Sequence, residues 1–172
     1  MDGSIQVYYG NGRGKTTAAL GLGIRAAGVG KQVIMVQFLK KKHSDMLDFL
    51  KKLEPELQIF RFEKAACGYS DLSPKEKQEQ MLNIKNALGY SRKVLDTGQC
   101  DLLILDEIFG LVDYNIITIE ELMDLIAVKK DSMDLILTGR NLPDEVREIA
   151  DCVYSIQREK EKTPEILAQG NF

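Results

Sequence analysis

A single histidine, His43, serves the whole chain. That scarcity leaves no basis for multi-histidine metal centres and sets aside histidine-based catalytic triads. Cysteine is nearly as sparse: Cys67, Cys100 and Cys152 are odd in number, far apart and without the paired spacing of a metal site. Such a set excludes a disulfide framework and reads as reduced thiols of a cytoplasmic protein. No apolar run approaches the ~20 residues needed to span a bilayer, so no membrane association is expected. The opening "MDGSIQVYYG" lacks the basic and apolar regions of a signal peptide, which again predicts a cytoplasmic location. Positive charge is not in excess either. With 23 basic and 26 acidic residues the net charge is −3, so nucleic acid is not an expected partner and any anion site must be local. What is present, 44% hydrophobic and 28% charged residues over 172 positions, suits one globular domain (1–172).

Apolar runs alternate with helical patterns along that length. "SIQVYYG" (4–10), "QVIMVQF" (32–38), "LQIFRF" (57–62), "DLLILDE" (101–107), "DLILTGR" (134–140) and "CVYSIQ" (152–157) read as six strands. Helices are predicted over 16–28, after Ser73-Pro74-Lys75-Glu76 up to Gly98, after Thr118, and over 143–150. A loop and short helix fill 40–55, and 63–73 is irregular. The charged end 158–172 is expected at the surface and partly mobile. Strand and helix at this cadence mean an α/β layer fold with a mostly parallel sheet, whose ligands bind at the carboxyl ends of the strands.

Those ends carry the residues of interest. The first strand runs into Gly10-Asn11-Gly12-Arg13-Gly14-Lys15-Thr16-Thr17 and a helix follows at once. Glycines let successive N–H groups face one anion, and the helix start adds its positive dipole end. Lys15 supplies a point charge, and the Thr16 hydroxyl can reach Mg²⁺. The spacing is unusual, with three residues between Gly10 and Gly14 rather than four, and Tyr9 where the longer loop would need glycine. The fourth strand ends in Asp106-Glu107. One carboxylate can hold Mg²⁺ while the other orders a water or joins the metal, and the sequence leaves open which does which. Gln37 and Lys40 end the second strand and Arg140 the fifth. Arg140 can neutralise phosphate charge or stand as a surface arginine. The run Lys40-Lys41-Lys42 fits a solvated face.

In this order the pieces resemble the ATP:corrinoid adenosyltransferases of the bacterial cob(I)alamin (cob(I)yrinic acid a,c-diamide) type. The resemblance rests on "GNGRGKTTAALG" (10–21), "VQFLK" (36–40), "LDEI" (105–108) with Tyr114, "EEL" (120–122), and "TGR" (138–140) before "EIAD" (148–151). It implies a three-layer P-loop NTPase-like fold, with six mostly parallel strands flanked by helices. It also implies that the short loop holds ATP reversed, so that the ribose 5′-carbon faces a cobalt(I) nucleophile and triphosphate leaves. On that reading Gly10, Asn11, Gly12, Arg13, Gly14, Lys15, Thr16, Thr17 and Gln37 bind ATP, and Lys15 and Arg140 stabilise the leaving group. Thr16, Asp106 and Glu107 serve Mg²⁺, with Mn²⁺ as an alternative. An electron donor for cobalt and a homodimeric state are further implications.

The corrinoid side departs from the family's pattern. Relatives place Phe and Trp below the cobalt from the irregular segment after the third strand. Here Tyr69 stands at the Phe position, Asp71 lies near that of Trp, and the chain has no tryptophan. Tyr69 is therefore the corrinoid-facing candidate. The N-terminal extension common in relatives is not expected to precede the first strand. Two other readings compete with adenosyl transfer: a P-loop ATPase or small-molecule kinase, which would release ADP or phosphate, and a nucleotide-dependent corrinoid escort without catalysis.

Overall fold

A computed structural model of the chain describes residues 2–40, 49–62 and 69–160. Lys41, Lys42, His43, Cys67 and the chain end beyond 160 lie outside the described residues, together with the expectations attached to them. The elements run β1 (Ile5–Tyr9), α1 (Lys15–Ala27), β2 (Val33–Gln37), β3 (Leu57–Phe60), α2 (Pro74–Thr97), β4 (Leu102–Asp106), α3 (Ile108–Asp113), α4 (Ile119–Ala127), β5 (Asp134–Gly139), α5 (Asp144–Ile149) and β6 (Cys152–Ser155). All six expected strands form, in the order β3-β2-β4-β5-β1-β6. Every pairing is parallel, so the sheet is wholly rather than mostly parallel.

Burial explains which runs became central strands. β2 and β4 are buried at all five positions, and β5 at all but its first. Helices on both faces of a parallel sheet demand that continuous apolar character. Alternation along the strands then divides the core. One set (Val7, Val36, Leu103, Leu105, Leu135, Leu137) packs under α2, α3 and α4, with Val94, Phe109 and Leu122. The other (Met35, Ile104, Ile136) packs under α1, with Ala19 and Leu20. Among the described residues, no helix is long and apolar enough to cross a membrane.

Two helix starts follow the expected chemistry. Ser73 accepts the Glu76 N–H while the Glu76 carboxylate accepts the Ser73 N–H, and Thr118 and Glu121 repeat the arrangement. The short helix α3 was not expected from the sequence. It begins directly on Glu107, whose backbone is left-handed (φ 63°), so no polar loop separates it from β4. Its Phe109 is fully buried against the end of β5, where an added Cβ on Gly139 would lie 2.5 Å from the Phe109 Cβ. Gly139→Ala is therefore expected to lower stability by about 1–3 kcal/mol, the usual cost of overpacking. Urea denaturation followed by circular dichroism measures it.

Candidate active site

The loop after β1 is tied down by the sheet's own edge. Gly10 donates its N–H to the Arg140 carbonyl at 3.0 Å, and Gly12 donates to the Ile156 carbonyl just past β6 at 2.9 Å. Side chains are excluded here: a Cβ on Gly10 would approach the Ile156 oxygen to 2.4 Å, and one on Gly12 to 2.8 Å. Gly10 and Gly14 also adopt positive φ, at 121° and 110°. The Asn11 side chain accepts the Arg158 N–H at 3.4 Å. Tyr9 belongs to β1 rather than to the loop. Its ring packs on the main core, with the Arg147 guanidinium 5.2 Å from its centroid. Two loop amides thus serve the framework, and α1 begins directly at the loop's end, where the unpaired N–H groups of a helix start favour an anion.

Lys15, at that helix start, donates to the Gly10 and Gly12 carbonyls at 2.7 and 2.9 Å. Burial pulls its ammonium below the ordinary lysine range. Glu107 opposes that shift, the neighbouring charges of Lys40 and Arg140 add to it, and Asp106 opposes it. Lys15 therefore sits within electrostatic reach of four residues that the sequence scatters over a hundred positions.

Asp106 is the centre of the site. Its carboxylate is fully buried. The Thr16 hydroxyl bonds Oδ1 at 2.9 Å and Oδ2 at 3.1 Å, the Thr138 hydroxyl donates to Oδ1 at 2.7 Å, and the Gln37 amide donates to Oδ2 at 3.0 Å. The Lys40 ammonium lies 3.5 Å from Oδ2 and 3.2 Å from the Thr16 hydroxyl. A buried carboxylate needs such partners, because unpaired it would carry a large desolvation cost. Next in the chain, Glu107 donates its N–H to Thr138 Oγ1 at 2.8 Å. Behind Gln37, Arg61 donates from Nε to the amide oxygen at 2.6 Å.

Of the expected residues, Lys15, Thr16, Gln37, Asp106 and Glu107 come together here, with Arg140 on the rim. Arg140 is exposed and borders a cleft of about 630 Å³ that Tyr9, Asn11, Leu142 and Gln157 also line. Arg13 and Thr17 are exposed. Tyr69 is half-buried, its ring 5.3 Å from that of Tyr114 and 5.7 Å from the Lys77 ammonium. Asp71 is exposed and accepts from Ser70 at 3.3 Å. Thr138, Arg61 and the ionic role of Lys40 escaped the sequence reading. A usable signal was the period of two: Ile59–Arg61, Met35–Gln37, Ile104–Asp106 and Ile136–Thr138 each put an apolar residue on the α1 face and a polar one on the same face at the strand's end.

Hard oxygen donors, the Thr16 hydroxyl and the Asp106 carboxylate, adjoin a lysine and helix-start amides. Among the described residues, no group of three or more His, Cys, Asp or Glu is placed to hold a metal. The Thr16 and Asp106 oxygens fit a Mg²⁺-like ion that brings phosphate oxygens with it.

Comparison with known proteins places these features in context. The sequence pattern of the family described as ATP:corrinoid adenosyltransferase BtuR/CobO/CobP matches residues 1–169. A corrinoid adenosyltransferase of Escherichia coli is 30% identical over 155 residues, which covers 90% of this chain and 76% of that protein. The corrinoid adenosyltransferase CobA of Salmonella typhimurium has the same identity and coverage. Among solved structures, a KaiC-like protein from Pyrococcus horikoshii matches with a TM-score of 0.61 at 18% identity, over 94% of this chain and 75% of that one, a likeness of fold.

Thr138→Val keeps the side chain's shape while deleting one donor to Asp106 and one acceptor for the Glu107 amide. We expect a loss of about 1–3 kcal/mol, since both partners are left short in a buried setting. A lowered urea midpoint with an unchanged far-ultraviolet spectrum is the result to look for.

Proposed function

Because the chain belongs to the ATP:corrinoid adenosyltransferase family, we propose that the short loop and the Asp106 cluster carry its ATP-dependent adenosyl transfer to a corrinoid. The observation that supports this assignment is the short loop locked to β6 through Gly12 and Ile156, set beside the buried Thr16–Asp106 pair. Family membership favours adenosyl transfer over the kinase or ATPase reading and over an escort without catalysis.

In the reaction, the electron pair of cobalt(I) forms a bond to the ribose 5′-carbon while the bond from that carbon to the triphosphate oxygen breaks. Triphosphate leaves with the bonding electrons. No proton needs to move, so the protein's work is positioning and charge stabilisation. Gly10 to Thr17 cradle the phosphates in the reversed sense, with the 5′-carbon turned outward. Lys15 exchanges its two loop carbonyls for phosphate oxygens, and Arg140 meets the leaving group from the rim. Gln37 acts from behind, through Asp106. Thr16 and Asp106 would hold Mg²⁺ or Mn²⁺, and Glu107, beside Lys15, would order water there. The metal's contribution is to neutralise charge on the leaving triphosphate.

Tyr69 is the residue proposed to face the corrinoid, stacking with its ring. The cobalt must arrive reduced, so an electron donor is a required partner, and a homodimer is the proposed assembly.

The test mixes the protein with MgATP and chemically reduced cobalamin and follows adenosylcobalamin and released phosphates. Adenosylcobalamin with intact triphosphate is expected; ADP or orthophosphate as the product would sink the reading. Tyr69→Ala should slow cobalamin adenosylation about 10-fold or more, on the scale of a lost aromatic contact, yet leave ATP affinity within about twofold. Unchanged adenosylation would remove Tyr69 from the corrinoid site.

A further prediction concerns alkaline pH. In the free protein Lys15 loses its proton below the ordinary lysine range. Phosphates favour the charged ammonium, so within that window ATP binding must take up a proton. Affinity should therefore fall as pH rises toward the ordinary lysine value, and Lys15→Ala should bind weakly and without that slope. Calorimetry in buffers of different ionisation enthalpy detects the proton directly.

A further inference from the structure

Three residues lie abreast at the carboxyl edge of three neighbouring strands. Gln37 on β2 is the register partner of Asp106 on β4. On the other side Val36 pairs with Phe60 of β3, which brings the next residue, Arg61, level with Gln37. In a parallel sheet, residues that share register share a face, and here the bonds run straight across: Arg61 Nε to Gln37 Oε1 at 2.6 Å, Gln37 Nε2 to Asp106 Oδ2 at 3.0 Å.

The chemistry of the two outer groups fixes the middle one. A guanidinium can only donate and an ionised carboxylate can only accept. One orientation of the Gln37 amide satisfies both, with its oxygen toward Arg61 and its NH₂ toward Asp106. Turned over, the amide would set its oxygen against a carboxylate oxygen and its NH₂ against a donor. Gln37 is 3% exposed, so water cannot readily replace either bond. The Thr138 hydroxyl, which accepts the Glu107 N–H, and the Thr16 hydroxyl, which accepts from Lys40, each keep a proton that can turn toward Asp106. The Gln37 amide has no proton to turn, and Arg61 sets which of its ends faces Asp106.

We propose that Arg61 is a positioning residue for the metal carboxylate: it holds the Gln37 amide in the orientation that donates to Asp106, and so sets how strongly the divalent cation strengthens ATP binding. This inference rests on the functional reading above, in which Thr16 and Asp106 serve the metal that accompanies ATP. Arg61 touches neither the nucleotide nor the metal in this scheme. Its guanidinium also polarises the amide toward the carboxylate, which strengthens the inner bond of the chain.

The experiment measures ATP affinity without corrinoid, once in EDTA and once in saturating Mn²⁺, for the wild type, Arg61→Met, Arg61→Lys, Gln37→Leu and the Arg61→Met/Gln37→Leu double variant. For Arg61→Met we expect the Mn²⁺-dependent gain in affinity to shrink about 5-fold or more, the scale of one buried hydrogen bond, with affinity in EDTA within about twofold of wild type. Arg61→Lys, which keeps a donor, should restore most of the gain. Gln37→Leu should show the same loss, and adding Arg61→Met to it should cost nothing more, because Arg61 acts through Gln37. A full Mn²⁺ gain in Arg61→Met, or an equal further loss in the Gln37→Leu background, would overturn the proposal. If Gln37→Leu does not fold, the contrast between Arg61→Met and Arg61→Lys still decides. Failure of the wild type to bind ATP, or to bind it more tightly with Mn²⁺, would instead strike the functional reading itself.

Discussion

Everything at the carboxyl edge of this sheet is arranged around one buried negative charge. Asp106 closes the central strand β4, out of reach of water, and a carboxylate in that position is tolerable only when its lone pairs are occupied. The surrounding elements meet that demand one residue each: Thr16 from α1, Gln37 from β2, Thr138 from β5 and Lys40 from the segment after β2. Meeting it fixes their relative positions. The first turn of α1 is anchored through Thr16, which in turn sets Lys15 and the loop. The start of α3 is anchored through Thr138, which accepts the Glu107 amide. A single electrostatic requirement therefore organises both halves of the site.

Much of this was legible in the residues. Six strands, the α/β layering, the capping box at Ser73 and the meeting of Lys15, Thr16, Gln37, Asp106 and Glu107 followed from apolar runs, cap spacing and the rule that ligands gather at strand ends. Those features are local, or depend on a parallel sheet having only one useful edge. Less was legible where partners are distant in sequence and chemically plain. Thr138 looks like any threonine in a strand until β5 is known to lie beside β4. Arg61 looks like a surface cation until β3 is known to flank β2. The order of strands decides both, and a pattern of runs does not contain it. The helix α3 was hidden for another reason: its apolar residues continue those of β4, with only the left-handed Glu107 to mark the boundary.

The cysteines show the same division. Cys100 and Cys152 are free thiols, one buried and one exposed. What composition could not say is that Cys100 lies buried near the start of β4, where loss of solvation pushes its thiol up to about 12. At that value the thiolate is scarce at neutral pH, so Cys100 behaves as a small apolar residue of the core.

The bond from Gly12 to the Ile156 carbonyl has a consequence for how such a loop can change over generations. An extra residue between Gly10 and Gly14 would push the amide out of line with its acceptor and drive the turn into the backbone beyond β6. Loop length and the path of the chain leaving the sheet are thus geometrically coupled. A lineage that lengthened one would have to reroute the other in the same step.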